Sequence, residues 1–217
     1  MTAKTWDVAV VGAGSFGAWT ALRLREKGLR VVLVDQYGPG NARSSSGGES
    51  RIIRMGYGPD ELYTRLALSS LAAWRSVLEG TERLFHETGV LWLARAGDRY
   101  ALDTLATLAR LGLPHERLSA ADIRRRYPQF ALGEDVWGMI EPASGALIAG
   151  RAVQAVVRAA IHAGVEYRPA AIAPPTVHVS LEAISASDGS EIRAAAFVFA
   201  CGAWLPKLFP ERLGARI

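Results

Sequence analysis

The sequence predicts an α/β fold: a Rossmann-like domain with a parallel sheet, interrupted by a stretch of mixed α and β structure. Three observations carry this. A β-branched strand, a glycine-rich turn, a helix and a second strand follow one another within about 30 residues, a complete βαβ unit. The alternation then stops for about 100 residues, far beyond an ordinary connection. A strongly apolar strand, AFVFA at 196–200, returns near the end.

Trp6 to Val11 (WDVAVV) is short and rich in β-branched residues, and reads as a strand buried on both faces. Gly12-Ala13-Gly14-Ser15-Phe16-Gly17 follows at once, and AWTALRLREK continues as a helix closed by Gly28. Leu29 to Val34 is the second strand, ending at Asp35, with the two strands parallel and the crossover right-handed. Gly38 to Ser50 (GPGNARSSSGGES) has the composition of a flexible linker and leads into Arg51-Ile52-Ile53-Arg54.

From Pro59 to about Leu78 a helix is expected, with Pro near its first turn and Asp60 and Glu61 at its positive end. Residues 84–95 read as a hairpin or strand pair around Thr88-Gly89. Two helices follow, at about 99–111 and after Ser119, where Asp122 stands at capping-box spacing. Residues 136–148 read as strand, turn and strand. The helix at about 151–163 carries Val153, Val156, Val157, Ala160 and Ile161 on one face, as if packed on a sheet. Val165 to Arg168, 176–185 and 191–199 are the remaining strands, the last two joined by a turn at Asp188-Gly189 and followed by Cys201-Gly202-Ala203-Trp204.

The glycine spacing carries the chemistry. Gly12 permits the tight turn out of a strand, Gly14 lets the backbone approach a pyrophosphate with no Cβ in the way, and Gly17 allows close helix–strand packing. The helix start offers free N–H groups and a partial positive charge to phosphates. Asp35 closes the second strand about 20 residues on, where a carboxylate can accept from ribose hydroxyls. A nicotinamide domain would continue through further β and α units, whereas long insertion between Rossmann pieces is the habit of two-domain flavoproteins.

Composition excludes several classes. Half of the 217 residues are apolar and 21% are charged, which suits a globular core and not disorder. The net charge of +4 is small, and its densest cluster, Arg124-Arg125-Arg126, suits a solvated helix end better than a nucleic-acid stripe. One cysteine, Cys201, excludes an internal disulfide framework, and four scattered histidines show no metal-ligand spacing. His86 and His178 fall in strand patterns, and Trp74 and Trp92 fit core packing. No apolar run approaches the ~20 residues of a membrane helix. A reducing, cytoplasmic setting and no metal, nucleic-acid or membrane partner are the expectation.

The runs GAGSFG, SSSGGESRIIRMGYG, TGVLWLA, EPASGAL and CGAW, in that order along essentially the whole chain, resemble the sarcosine-oxidase branch of the D-amino-acid-oxidase-like flavoproteins. The resemblance implies a glutathione-reductase-like FAD-binding domain with a partial α+β substrate domain, and FAD as a non-covalent cofactor. It implies that Gly12, Gly14, Ser15 and Gly17 hold the FAD pyrophosphate and Asp35 the adenosine ribose. Ser50 and Arg51 would lie against the isoalloxazine, Arg54 would bind the substrate carboxylate, and Gly202, Ala203 and Trp204 would pass near the FAD phosphates. Residues around Ala171 to Ala173 would lie near adenine. Arg51 and Arg54, three apart, would share one face of a helical turn, one stabilising the charge of the reduced ring and the other gripping a carboxylate.

The chain departs from that pattern at Ser46, Gly47 and Met55, where histidines are familiar. Members of the family continue beyond the position of Ile217 into the rest of the substrate domain. The expected organisation is a FAD-binding domain at 1–81 and 150–217, with a partial substrate domain at 82–149. The expected activity is oxidation of the C–N bond of a small amine or amino acid to an imine, with oxygen giving hydrogen peroxide. Transfer of electrons to a quinone or other carrier, and a nucleotide-binding fragment without turnover, are the alternatives left open at this point.

Overall fold

A computed structural model of the chain describes residues 5–80, 82–175 and 180–214. They form two compact units, one of residues 1–50 with 148–217 and the other of 51–147. In the first unit the chain opens with β1 (Thr5–Val11), α1 (Ser15–Glu26) and β2 (Val31–Asp35). It passes into the second unit through β3 (Ser50–Ile53), followed by α2 (Glu61–Leu78), β4 (Phe85–His86), β5 (Val90–Arg95), α3 (Arg99–Arg110), β6 (Glu116–Leu118), α4 (Ala120–Arg126), β7 (Val136–Glu141) and β8 (Gly145–Ile148). It returns through α5 (Ala149–His162), β9 (Glu166–Pro169), β10 (Ala183–Ser185) and β11 (Glu191–Phe199), then a 3₁₀ turn at Gly202–Trp204, α6 (Leu205–Leu208) and α7 (Pro210–Leu213).

The first unit is built on a five-stranded sheet in the order β10-β11-β1-β2-β9. β11, β1, β2 and β9 run parallel, and only β10 is antiparallel to its neighbour. Ala9, Val10, Val31, Val32 and Leu33 are fully buried, as central strands covered on both faces must be. The α1 helix stops where Gly28, at φ +88°, adopts the left-handed conformation and donates to the Arg25 carbonyl. α5 packs against α1 and buries Ala152, Val153, Val156 and Ala160, but Ile161, expected on that face, is exposed. Of the strand expected at 176–185, Ala183–Ser185 is formed, while 176–179, with His178, lie outside the described residues.

The second unit holds two three-stranded sheets, β3-β8-β4 and β5-β7-β6. Residues 84–95 do contain two strands, but they are not partners. β4 pairs antiparallel with β8, and β5 pairs antiparallel with β7. Gly89, at φ +74°, turns the chain from one sheet to the other instead of closing a hairpin. β7 and β8 likewise go to different sheets. This unit begins at Arg51, so residues 51–80, expected with the first domain, fold with the segment that follows. The reason is apolar: Met55 and Leu71 are buried with Ala94, Ala101, Leu108, Trp137 and Met139 in one cluster.

The arginine run at the end of α4 is a solvated face with its charges matched. Arg124 pairs with Glu134, Arg125 with Asp122, and Arg126 with Glu116. No helix among the described residues is long and apolar enough to cross a membrane.

Candidate functional site

The register of the parallel strands brings three sequence signals to one sheet edge. Val11 lies opposite Val34 on one side and Phe199 on the other. The glycine turn after β1, Asp35 at the end of β2 and the Gly202–Trp204 turn after β11 therefore leave the sheet side by side, at its carboxyl end. The connection through α1 runs from β1 to β2 while β11 lies on the other side of β1, so this is where the strand order switches direction. In open parallel sheets that crevice is where ligands bind.

The three glycines of the turn act differently. Gly12 has φ +103°, and a Cβ there would lie 2.5 Å from the Ala200 carbonyl oxygen. A Cβ at Gly17 would lie 1.7 Å from the Gly12 carbonyl oxygen, so α1 can seat on the strand only without one. At Gly14, the N-cap of α1, a Cβ would meet just the Ser46 hydroxyl, at 3.3 Å. The Ser15 amide donates to that same hydroxyl at 3.1 Å, so the first turn of the helix already presents a donor to an oxygen acceptor. A bare backbone, a helix N-terminus and an acceptor position beside Gly14 fit the linked phosphates of a dinucleotide.

The Gly38–Ser50 segment is no loose linker. Asn41 holds it, donating from Nδ2 to the Gly38 carbonyl at 2.7 Å and accepting on its own carbonyl from the Ser44 amide and hydroxyl. Gly47 approaches so closely that a Cβ would lie 1.7 Å from the Asn41 carbonyl oxygen. Ser46, one of the positions that depart from the family pattern, ties this loop to the helix start. Sequence reasoning did not single it out as a site residue.

Asp35 is fixed by three amides: Ala13 donates to Oδ2 at 2.7 Å, and Tyr37 and Gly38 donate to Oδ1 at 2.8 and 2.9 Å. Two half-buried groups sense it. Burial first and the Asp35 charge second raise the Tyr167 phenol above its usual range and push the Cys201 thiol up to about 11. The Cys201 Sγ donates to the Val11 carbonyl at 3.4 Å, which makes it a packed structural thiol. Of Ala171 to Ala173, Ala171 donates to the Ser187 hydroxyl at 3.1 Å and Ala173 to the Ser185 carbonyl at 3.1 Å, both as part of the sheet margin.

In the second unit the two arginines differ from expectation. Arg51 lies within β3 and Arg54 just beyond it, so the segment is extended and a separation of three does not place them on one helical face. Arg54 nevertheless has a distinctive setting. Its guanidinium carbon stands 4.6 Å from the Tyr57 ring centroid and 4.7 Å from that of Trp92, and Nη1 donates to the Gly56 carbonyl. Among the described residues it meets no carboxylate, while Arg30, Arg65, Arg110 and Arg126 are each in an ion pair. Trp92, read from the sequence as core, carries this arginine. Met55, at a departed position, is a core residue 4% exposed.

The comparisons agree with this geometry. Residues 7–217 match the family model described as DAO, FAD dependent oxidoreductase. Over 220 residues the chain is 30% identical to peroxisomal sarcosine oxidase of Mus musculus, an alignment covering 96% of this chain and 54% of that protein. It is 28% identical over 208 residues to N-methyl-L-tryptophan oxidase of Yersinia pestis (strain Pestoides F), covering 94% and 56%. Among solved structures, the open form of NikD, an unusual amino acid oxidase, superposes with a TM-score of 0.79 at 28% identity, over 96% of this chain and 54% of that one. L-proline dehydrogenase from P. horikoshii shares the fold, with a TM-score of 0.81 at 18% identity over 93% of this chain and 54% of that one. The chain thus spans about half the length of the relatives it matches. With a parallel sheet, a glycine turn and an acid at the switch point, and a family match across nearly all of its residues, this chain belongs to the FAD-dependent oxidoreductase family.

Proposed function

We propose that this chain supplies the FAD-binding and part of the substrate-binding structure of an enzyme that oxidises the C–N bond of a small amine or amino acid. The observation that carries the reading is the glycine turn, in which Gly12, Gly14 and Gly17 leave bare backbone at the start of α1 beside Asp35. The first unit would be the FAD-binding domain and the second a partial substrate domain. Gly12, Gly14, Ser15 and Gly17 would hold the pyrophosphate and Asp35 the adenosine ribose. Gly202, Ala203 and Trp204 would lie along the phosphates, and Ser50 and Arg51 beside the isoalloxazine.

A bound flavin would supply the two-electron acceptor, so that loss of hydride from the carbon beside the nitrogen and of a proton from the nitrogen leaves an imine, which water hydrolyses. The protein's part is to bind, orient and stabilise charge. Arg51 would offset the negative charge of the reduced ring. Arg54 would give a planar, two-pronged grip on an amino-acid carboxylate. The relatives named as oxidases favour oxygen as the acceptor, with hydrogen peroxide as product. The single cysteine favours a reducing, cytoplasmic setting.

The experiment is a panel of primary and N-methylated amino acids offered to the full-length, FAD-loaded protein. Anaerobic bleaching of the flavin by one of them, with peroxide formed in air, is the expected result. Bleaching without peroxide would move the enzyme to the dehydrogenases. A protein that takes up no FAD would overturn the reading.

A further inference from the structure

Glu141 is a carboxylate only 2% exposed, at the end of β7, and its oxygens are surrounded by hydrogen-bond donors. Oε2 accepts from the Met55 amide at 2.5 Å and the Ser144 hydroxyl at 2.9 Å. Oε1 accepts from the Gly56 amide at 3.2 Å and the Trp92 indole Nε1–H at 2.6 Å. A buried carboxylate is costly unless its lone pairs are filled, and two donors to each oxygen meet that condition.

The donors reveal a purpose beyond stability. Two of them are the amides of Met55 and Gly56, in the segment just after Arg54, and the Gly56 carbonyl accepts from the Arg54 guanidinium. A third is the indole whose face lies 4.7 Å from the guanidinium carbon. One carboxylate therefore pins both the peptide and the ring that hold Arg54. Gly56 is equally constrained, since a Cβ there would lie 2.6 Å from Thr104 Cγ2, 2.8 Å from Glu141 Oε1 and 2.9 Å from Trp92 Cζ2. Glu141 reaches Arg54 through neutral groups, so the guanidinium is held without an ion pair and its charge stays available to an incoming anion.

We propose that Glu141 is the positioning residue for Arg54: through Trp92 and the Met55–Gly56 backbone it presets the guanidinium between two aromatic faces to receive a substrate carboxylate. This rests on the reading of Arg54 as the carboxylate-binding arginine.

The test uses the full-length, FAD-loaded protein containing this chain, with benzoate and its uncharged counterpart benzamide as probes, titrated through the flavin absorbance. Wild type should prefer benzoate, and Arg54→Gln should abolish the preference. If wild type shows no preference, or Arg54→Gln keeps it, the reading of Arg54 fails, and the inference with it.

Where Arg54 does matter, Glu141→Gln should weaken benzoate about tenfold and benzamide less than about twofold, because an amide offers one acceptor oxygen and turns its own donors toward N–H groups. Trp92→Phe, which keeps three of the four donors to Glu141, covers the case in which Glu141→Gln does not fold. It should cost benzoate about three- to tenfold and add no further loss in the Arg54→Gln background. Unchanged benzoate affinity in Trp92→Phe, equal losses for the two probes, or a full further loss in the double variant would each overturn the role of Glu141, while leaving Arg54 as the carboxylate-binding group.

Discussion

Gly17 passes so close to Gly12 that any side chain at position 17 would set its Cβ 1.7 Å from the Gly12 carbonyl oxygen. This contact is between two backbones, so no rotamer can relieve it. Gly14 differs, because its nearest obstacle is the movable Ser46 hydroxyl at 3.3 Å. Gly17→Ala should therefore damage the fold, at a cost of about 1–3 kcal/mol or more from overpacking. Gly14→Ala should melt near wild type yet lose most of its affinity for FAD, since a methyl would occupy the approach to the pyrophosphate. Melting temperature and flavin absorbance per mole of purified full-length protein separate the two effects. Equal flavin retention by wild type and Gly14→Ala would remove the phosphate role from this turn.

Asp35 gives a second prediction. Its two oxygens take the amides of Ala13, Tyr37 and Gly38, so the carboxylate fixes the glycine turn to the end of β2. Asp35→Asn keeps the shape but leaves one acceptor oxygen and presents an NH₂ to amide donors. It should be nearly as harmful as Asp35→Ala, with about 1–3 kcal/mol of stability lost and FAD bound at least about tenfold more weakly by loss of an acceptor for the ribose. Urea denaturation and FAD titration of the apoprotein measure the two quantities. An Asn variant that binds FAD like wild type would show that shape alone suffices at this position.

The local half of this design is legible in the sequence. β1, the glycine turn, α1 with its Gly28 stop and β2 are contiguous, and each depends on near neighbours in the chain. Non-local pairing is not legible. Nothing in LFHETGVLWLA says that Phe85 will pair with Leu147 while Val90 pairs with Glu141, because both segments alternate well enough to form a hairpin. The same limit hid the setting of Arg54. Its spacing from Arg51 suggested a helical turn, but the pairing of β3 in a sheet extends the segment, and the partners that matter, Trp92 and Glu141, are 38 and 87 residues away in sequence. One signal did exist: an acid ending the otherwise apolar strand VWGMIE is out of place unless donors surround it.

Cys201 should be slow to react while the protein is folded. Burial, with a smaller contribution from the Asp35 charge, raises its thiol from 9.0 to about 11, so almost no thiolate is present at neutral pH. A raised value in the folded state also sets the sign of a stability effect. The contribution is complete below about pH 9 and is lost as pH rises through about 11, where the unfolded thiol ionises first. Iodoacetamide labelling should be slow at pH 8 and rise steeply above pH 10, with immediate labelling in urea. Rapid labelling of the native protein at pH 7 would show that the thiol is neither buried nor protonated.

The cap of α4 gives a prediction of opposite sign. Ser119 Oγ accepts from the Asp122 amide at 3.1 Å, while Asp122 Oδ2 accepts from the Ser119 amide at 3.1 Å and from its hydroxyl at 2.6 Å. These bonds, with Arg125 donating to Oδ1 at 2.7 Å, lower Asp122 to about 2. A carboxyl held below its unfolded value of 3.8 stabilises the fold above that value and ceases to do so as pH falls toward about 2. The difference in urea midpoint between wild type and Asp122→Asn should therefore be constant from neutrality down to about pH 4 and close below it. Ser119→Ala, which removes the hydroxyl but keeps the acid, should cost about 1 kcal/mol at neutral pH. If the wild-type advantage over Asp122→Asn instead grows on acidification, the carboxylate is not what caps this helix, and the arginines that follow it would have to be holding the turn by their outward pairs to Glu116 and Glu134.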